Sequence, residues 1–161
     1  MKICIFGAGA IGGLLGVKLA RVGADVSLVA RGTHLEAMKK NGLRLIEEES
    51  DITVPVTASE NPEDLGPQDY VIITLKAHSV PSVVNRMEPL IDEKTTIVYG
   101  VNGIPWWYFH KVGGEFEGTR VNSVDPGNIQ WDGFGPNKVF GCVVYPAAEV
   151  IEPGVIKHLE G

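Results

Sequence analysis

The run Gly7-Ala8-Gly9-Ala10-Ile11-Gly12 constrains this chain more than any other feature. It has the spacing G-x-G-x-x-G. It follows the apolar run Lys2-Ile3-Cys4-Ile5-Phe6, and it opens a stretch in which Ile11, Leu14, Leu15, Leu19 and Val22 share one helical stripe. Lys18 falls within that stripe, so its stem must pack while its amine reaches water. Gly23 supplies a stop signal, and Asp25–Val29 is a second apolar run. The order is a strand buried on both faces, a tight turn, a helix and a second buried strand: a βαβ unit with a right-handed crossover. A start of Met1-Lys2 plus apolar residues also resembles a signal peptide. Gly7, Gly9, Gly12, Gly13 and Gly16 interrupt it, however, and each costs about 1 kcal/mol of helix relative to Ala.

In a βαβ context the glycine spacing is a dinucleotide fingerprint. Gly7 permits the turn. Gly9 keeps side-chain atoms away from a pyrophosphate, and Gly12 lets helix and strand approach. Free N–H groups at the helix start then face phosphate oxygens, favoured by the helix dipole. The candidate cofactor-binding residues are therefore Gly7, Ala8, Gly9, Ala10, Ile11 and Gly12. A protein that prefers NAD places a carboxylate about 20 residues further on to hold the ribose diol. Here that region reads Leu28-Val29-Ala30-Arg31-Gly32-Thr33, with no carboxylate. Arg31 is a permanent planar cation suited to a 2′-phosphate, so the expected cofactor is NADP. Thr33 and His34 are secondary candidates for that phosphate. Thr33-His34-Leu35-Glu36 also has the spacing of a capping box, opening a helix that runs to about Lys40 and closes at Asn41-Gly42.

Further along, Leu43–Ile46 and Ile52–Val56 read as strands around the acidic run Glu47-Glu48-Glu49-Ser50-Asp51, taken as plain solvated surface. Tyr70–Leu75 is a strong buried strand. Val80, Val83, Val84, Met87 and Ile91 form a helical stripe, with Ser79 as its cap, Pro81 in its first turn and Pro89 forcing an early end or a kink. Thr95–Tyr99 is another strand. This alternation means an α/β, Rossmann-like, doubly wound, mostly parallel sheet. Beyond about residue 113 the expectation is short strands without helix: Thr119–Val121, Asn128–Trp131, Val139–Phe140, Cys142–Tyr145 and Val155–Lys157. They would extend the sheet or add a small antiparallel piece.

Lys76 follows the strand Tyr70–Leu75, where open parallel sheets bind ligands, and is a candidate contact for an anionic substrate or the cofactor. His78 reads first as a structural hydrogen-bonder. Asn102, in Gly100-Val101-Asn102-Gly103, sits at the next strand end and offers an amide to a carbonyl or hydroxyl. Trp106, Trp107, Tyr108 and Phe109 read first as packing. No Ser-His-Asp set and no metal-ligand spacing is present.

The 161 residues carry a net charge of −6, which disfavours nucleic acid and anionic membrane as partners. No segment approaches the roughly 20 apolar residues of a membrane span. Cys4 and Cys142 are expected as buried thiols in a reducing compartment, the cytoplasm.

The chain resembles the N-terminal domain of ketopantoate reductases. The resemblance rests on Gly7–Gly13 (GAGAIGG), Ala30-Arg31-Gly32, Thr74-Leu75-Lys76, Asn102-Gly103 and Gly141–Ala147 (GCVVYPA). It implies one NADP-binding domain over residues 1–161 and NADPH-dependent reduction of a 2-keto acid, ketopantoate, to pantoate on the route to pantothenate and coenzyme A. It implies cofactor contacts at Gly7, Gly9, Gly12 and Arg31, and cofactor or substrate contacts at Lys76 and Asn102. In that family the proton-donating lysine and a substrate-binding glutamate belong to a helical C-terminal domain. The chain is expected to stop before that domain, so no catalytic residue is expected within it. The alternatives are a nucleotide-binding module without catalysis and a similar reductase acting on another keto acid. Exposed apolar surface near Trp106 and the last strands predicts self-association, as a homodimer.

Overall fold

The computed structural model describes residues 1–161. Strand β1 (Lys2–Phe6), helix α1 (Ala10–Arg21) and strand β2 (Asp25–Val29) form the expected unit, with β1 and β2 parallel from Lys2 opposite Asp25 to Phe6 opposite Val29. Helix α2 (Gly32–Asn41) follows, then β3 (Leu43–Ile46), β4 (Asp51–Val54) and β5 (Thr57–Ser59). Strands β6 (Tyr70–Ile73) and β7 (Thr96–Tyr99) are separated by 3-10 turns over Pro81–Leu90. The remainder holds α3 (Ile129–Phe134), β8 (Val139–Gly141), β9 (Ala147–Glu152) and β10 (Val155–Glu160).

The main sheet has the order β5-β2-β1-β6-β7-β8, and every neighbouring pair is parallel. Both faces are covered, which is why its strands are continuous apolar runs rather than alternating ones. Cys4, Phe6, Val71, Ile73, Ile97 and Tyr99 face one core, completed by Val80, Val84, Met87, Leu90, Trp106 and Phe134. Ile5, Val26 and Leu28 face the other, against Leu14, Val17, Met38, Leu43, Leu45 and Ile156. Burial in the first of these cores pushes the Cys4 thiol up to about 12, so it stays protonated.

A second sheet, ordered β4-β3-β10-β9, lies over α1. Strand β10 pairs parallel with β3 and antiparallel with β9. Gly13 permits this layer, because a Cβ there would lie 2.6 Å from Ile156. Both expectations for the last third are thus realised: β8 extends the main sheet and β9–β10 is antiparallel.

Several local expectations fail. Asn128–Trp131 belongs largely to a short helix, because the buried Asp125 carboxylate accepts the amides of Gln130 and Trp131 and so supplies the orphan donors of a helix start. Thr119–Val121 and Cys142–Tyr145 form no strand. The segment after Val80 is not an α-helix. Val84, Met87 and Leu90 recur every third residue, the 3-10 period, with Pro81 and Pro89 limiting α-type bonding. Ser79 does not cap it; its carbonyl accepts the Ser82 hydroxyl instead. Helix α2 has Arg31 at its N-cap and no side-chain cap bond, so Thr33 and Glu36 form no capping box. Val22 is exposed beyond the end of α1, and Cys142 is exposed. Glu47 is not plain surface: its carboxylate takes the Lys18 ammonium at 2.7 Å and the His158 ring at 3.0 Å, joining α1, the β3 end and β10.

Candidate functional site

The carboxyl ends of β1, β2, β6 and β7 line one edge of the main sheet. Strand order reverses between β1 and β6, which opens a crevice there. The residues singled out from sequence that follow these strands are Gly7–Gly12 after β1, Arg31 after β2, Lys76 after β6 and Asn102 after β7.

The loop after β1 has a distinctive hydrogen-bond account. The amides of Gly7 and Ala8 both donate to the Val29 carbonyl, at 3.3 and 3.1 Å, which ties the turn to the end of β2. The Gly7 carbonyl accepts the Thr74 hydroxyl at 2.7 Å and the Gly9 amide at 2.7 Å. The Ala8 carbonyl lies 2.8 Å from His34 Nε2. The first α1 bond to a loop carbonyl runs from the Gly13 amide to Gly9 at 2.7 Å. The amides of Ala10, Ile11 and Gly12 have no backbone acceptor. They form a cluster of donors at the positive end of a helix, which suits an anion.

The three fingerprint glycines have three different reasons to be glycine. Gly7 has a φ of +107°, and a Cβ there would lie 2.6 Å from Leu75. At Gly12 a Cβ would meet the Gly7 carbonyl and the Thr74 hydroxyl oxygen, the latter at 2.6 Å. Gly9 has an ordinary φ of −76°, and a Cβ on it would meet nothing within 4 Å. Neither backbone conformation nor packing within the chain asks for glycine at that position. The open space in front of Gly9, beside unpaired amides, is what a diphosphate needs for close approach. The residues present therefore fit a dinucleotide.

Around this loop, Arg31 is exposed at the start of α2. His34 is occupied on both ring nitrogens, by Ala8 and by the Gly154 amide at 2.8 Å, and so offers no free donor to a phosphate. Lys76 is exposed, and its ammonium makes no hydrogen bond or ion pair within the chain. His78 is exposed and forms no side-chain bond, so it is not the structural hydrogen-bonder expected. The side-chain amide of Asn102 is exposed and is also engaged within the chain. Its nitrogen donates to the Val144 carbonyl and its oxygen accepts the Val144 amide, both at 2.9 Å. It staples the segment after β8 to the loop after β7. Trp106 is fully buried, edge-on to Trp107 and Trp131 and beside Phe134, so the apolar surface expected near it is carried by its neighbours Ile104 and Tyr108. Thr74 was missed as a loop contact because a threonine ending an apolar strand carries no distinctive signal. The 3.6-residue period of α2 likewise does not reveal where His34 points.

Comparison with known proteins agrees with this geometry. The chain is 56% identical over its whole length to 2-dehydropantoate 2-reductase of Mesorhizobium japonicum, of which it covers 50%. It is 36% identical over 84% of its length to the enzyme of that name from Pyrococcus horikoshii, covering 46% of that protein. Among solved structures, a Ralstonia solanacearum MolK2 protein bearing the ketopantoate reductase name superposes with a TM-score of 0.91 at 41% identity, over 99% of this chain and 49% of that one. The 2-dehydropantoate 2-reductase of Geobacter metallireducens superposes at 0.80 with 29% identity, over 100% and 47%. The chain thus spans about half the length of the relatives it matches. Residues 3–161 match the family described as ketopantoate reductase PanE/ApbA, and with its doubly wound sheet and open glycine loop the chain belongs to the ketopantoate reductase family.

Proposed function

We propose that residues 1–161 are the cofactor-binding half of an NADPH-dependent reductase that converts a 2-keto acid, ketopantoate, to pantoate on the route to pantothenate and coenzyme A in the cytoplasm. The observation that carries this reading is the open space at Gly9 beside the unpaired amides of Ala10, Ile11 and Gly12. Those amides hold the diphosphate. Arg31, at the end of β2, pairs with the 2′-phosphate, where a carboxylate would repel it. A nicotinamide held there would supply a hydride to the carbonyl carbon, and that chemistry would call for a donor placed at the carbonyl oxygen. Lys76 is the cation that follows β6, and it can take either the substrate carboxylate or the carbonyl oxygen, but not both. The family relationship, and the names borne by relatives such as the Mesorhizobium japonicum protein, support ketopantoate as the substrate. No helix is long and apolar enough to cross a membrane.

Titration of the chain with NADPH and NADH, followed by nicotinamide fluorescence, tests the reading. NADPH is expected to bind at least about 10-fold more tightly, since a charge-assisted pair to a phosphate is at stake. Equal binding removes the role of Arg31, and no binding of either removes the cofactor site. The same chain mixed with NADPH and ketopantoate is expected to show no turnover; steady NADPH oxidation would show that it is more than a cofactor-binding half. Ile104, Tyr108, Phe140, Val143 and Tyr145 are exposed on and after β7 and β8. They support a homodimer of the isolated chain, which a monomeric sedimentation coefficient would exclude.

A further inference from the structure

We propose that His34 and Thr74 are positioning residues that hold the turn before α1 so that its free amides face the cofactor, with His34 fixed in one tautomer by the hairpin between β9 and β10. The proposal rests on the reading of Gly7–Gly12 as the diphosphate seat.

In a regular α-helix each amide donates to the carbonyl four residues earlier. Helix α1 begins at Ala10, so the amides of Ala10, Ile11 and Gly12 lie in its first turn, where no such acceptor exists. The carbonyls of Gly7 and Ala8, in the turn before the helix, are held by side chains: Gly7 by the Thr74 hydroxyl at 2.7 Å, beside the Gly9 amide, and Ala8 by His34 Nε2 at 2.8 Å. These two bonds fix the direction of the turn and so of the amides that follow it, which have no partner in the chain and remain available to an anion.

The His34 proton is assigned by the network. The Gly154 amide donates to Nδ1 at 2.8 Å, so Nδ1 must carry a lone pair. The neutral ring therefore holds its proton on Nε2 and donates it to Ala8. Gly154 sits between β9 and β10, far from the loop in sequence. The contact links the second sheet to the cofactor loop, with a half-buried imidazole between them.

Isosteric substitutions separate the two ends of the ring. His34→Gln keeps a donor near the Nε2 position and loses the acceptor for Gly154. His34→Asn keeps an acceptor near the Nδ1 position and loses the donor to Ala8. Each variant is titrated with NADPH, and its loop amides are followed in 1H–15N spectra without cofactor. His34→Asn is expected to bind NADPH about 5- to 10-fold more weakly, the scale of one lost hydrogen bond, and to shift the amide signals of Ala10, Ile11 and Gly12. His34→Gln is expected to bind within about 2-fold of the parent while the Gly154 signal moves, a reversal that general destabilisation does not produce. Equal losses in the two variants, or unchanged binding in His34→Asn, overturn the proposal. If the parent chain binds no NADPH, the diphosphate reading fails, and the positioning claim is still decided by whether the loop amides move in His34→Asn and stay in His34→Gln.

Discussion

The two sides of the sheet edge differ in how completely the chain builds them. On the β1–β2 side the polar backbone is accounted for: Val29 takes the Gly7 and Ala8 amides, and Thr74 and His34 take the carbonyls of the same residues. What is left over is a compact set of donors facing open space. On the β6–β7 side Lys76 stands in solvent without a partner, Asn102 is committed to Val144, and the neighbouring apolar side chains of Ile104, Tyr108 and Val143 are exposed. One side is preorganised by contacts internal to the chain, while the other offers a single cation and no enclosing wall. Preorganised donors give affinity without a reordering cost, whereas a reaction also needs a donor held at the developing alkoxide. The loop side is therefore the one preorganised to bind.

Substitutions at the glycine loop are the strongest way to break that contrast. Gly9→Val is expected to leave the melting temperature nearly unchanged and to weaken NADPH by more than about 100-fold, because its side chain fills only the space the diphosphate needs. Gly12→Val is expected to destabilise the fold itself by about 3 kcal/mol in urea unfolding, because its Cβ drives into the Gly7 carbonyl and Thr74. If both variants behaved alike, the claim that the two glycines serve different ends would fail. A smaller effect is expected from Arg31→Ala, which should lower NADPH affinity about 10-fold and leave NADH affinity unchanged, measured by the same fluorescence titration.

The other side is sharpened by Asn102→Ala. Losing both bonds to Val144 is expected to cost about 1 kcal/mol of stability with no change in cofactor affinity. A large loss of affinity with unchanged stability would make Asn102 a ligand contact after all. The smallest effect concerns pH. The Lys18 ammonium, with lesser help from His158 and Ser50, holds the Glu47 carboxyl below its ordinary value of 4.5. A carboxyl depressed in the folded state adds stability that is complete above its unfolded value and is lost as pH falls through the folded one. Glu47→Gln should therefore flatten the acid limb of the stability curve below about pH 4.5 and change little near neutrality, read by thermal melts across pH.

The first βαβ unit was legible because several local signals agree there. Apolar runs of strand length, a helical stripe and stop glycines all point to one arrangement, and β1 and β2 have the predicted bounds. The Val80–Ile91 stripe was read with the wrong period. Its apolar positions fit spacings of three and four about equally, and the prolines decided between them. The helix at Ile129–Phe134 escaped because its cap, Asp125, lies four residues before it, across a left-handed Asn128. Strands β5 and β9 carry few strong β-formers, and they are strands because an edge of an existing sheet pairs with them. At the site, Gly9 and the chain position of Arg31 could be read from spacing. The use of Asn102, His34 and Thr74 could not, since their partners Val144, Ala8 and Gly7 lie from 26 to 67 residues away.

The sequence by itself determined the wound βαβ start, the glycine turn and the absence of a carboxylate after β2, because each depends on neighbours within a few residues. Tertiary structure alone decided which side chains hold the loop carbonyls and that Asn102 ties the segment after β8 to the loop after β7. Those outcomes depend on side chains brought together from distant strands, and a hydrogen bond is fixed by where its partner ends up in space.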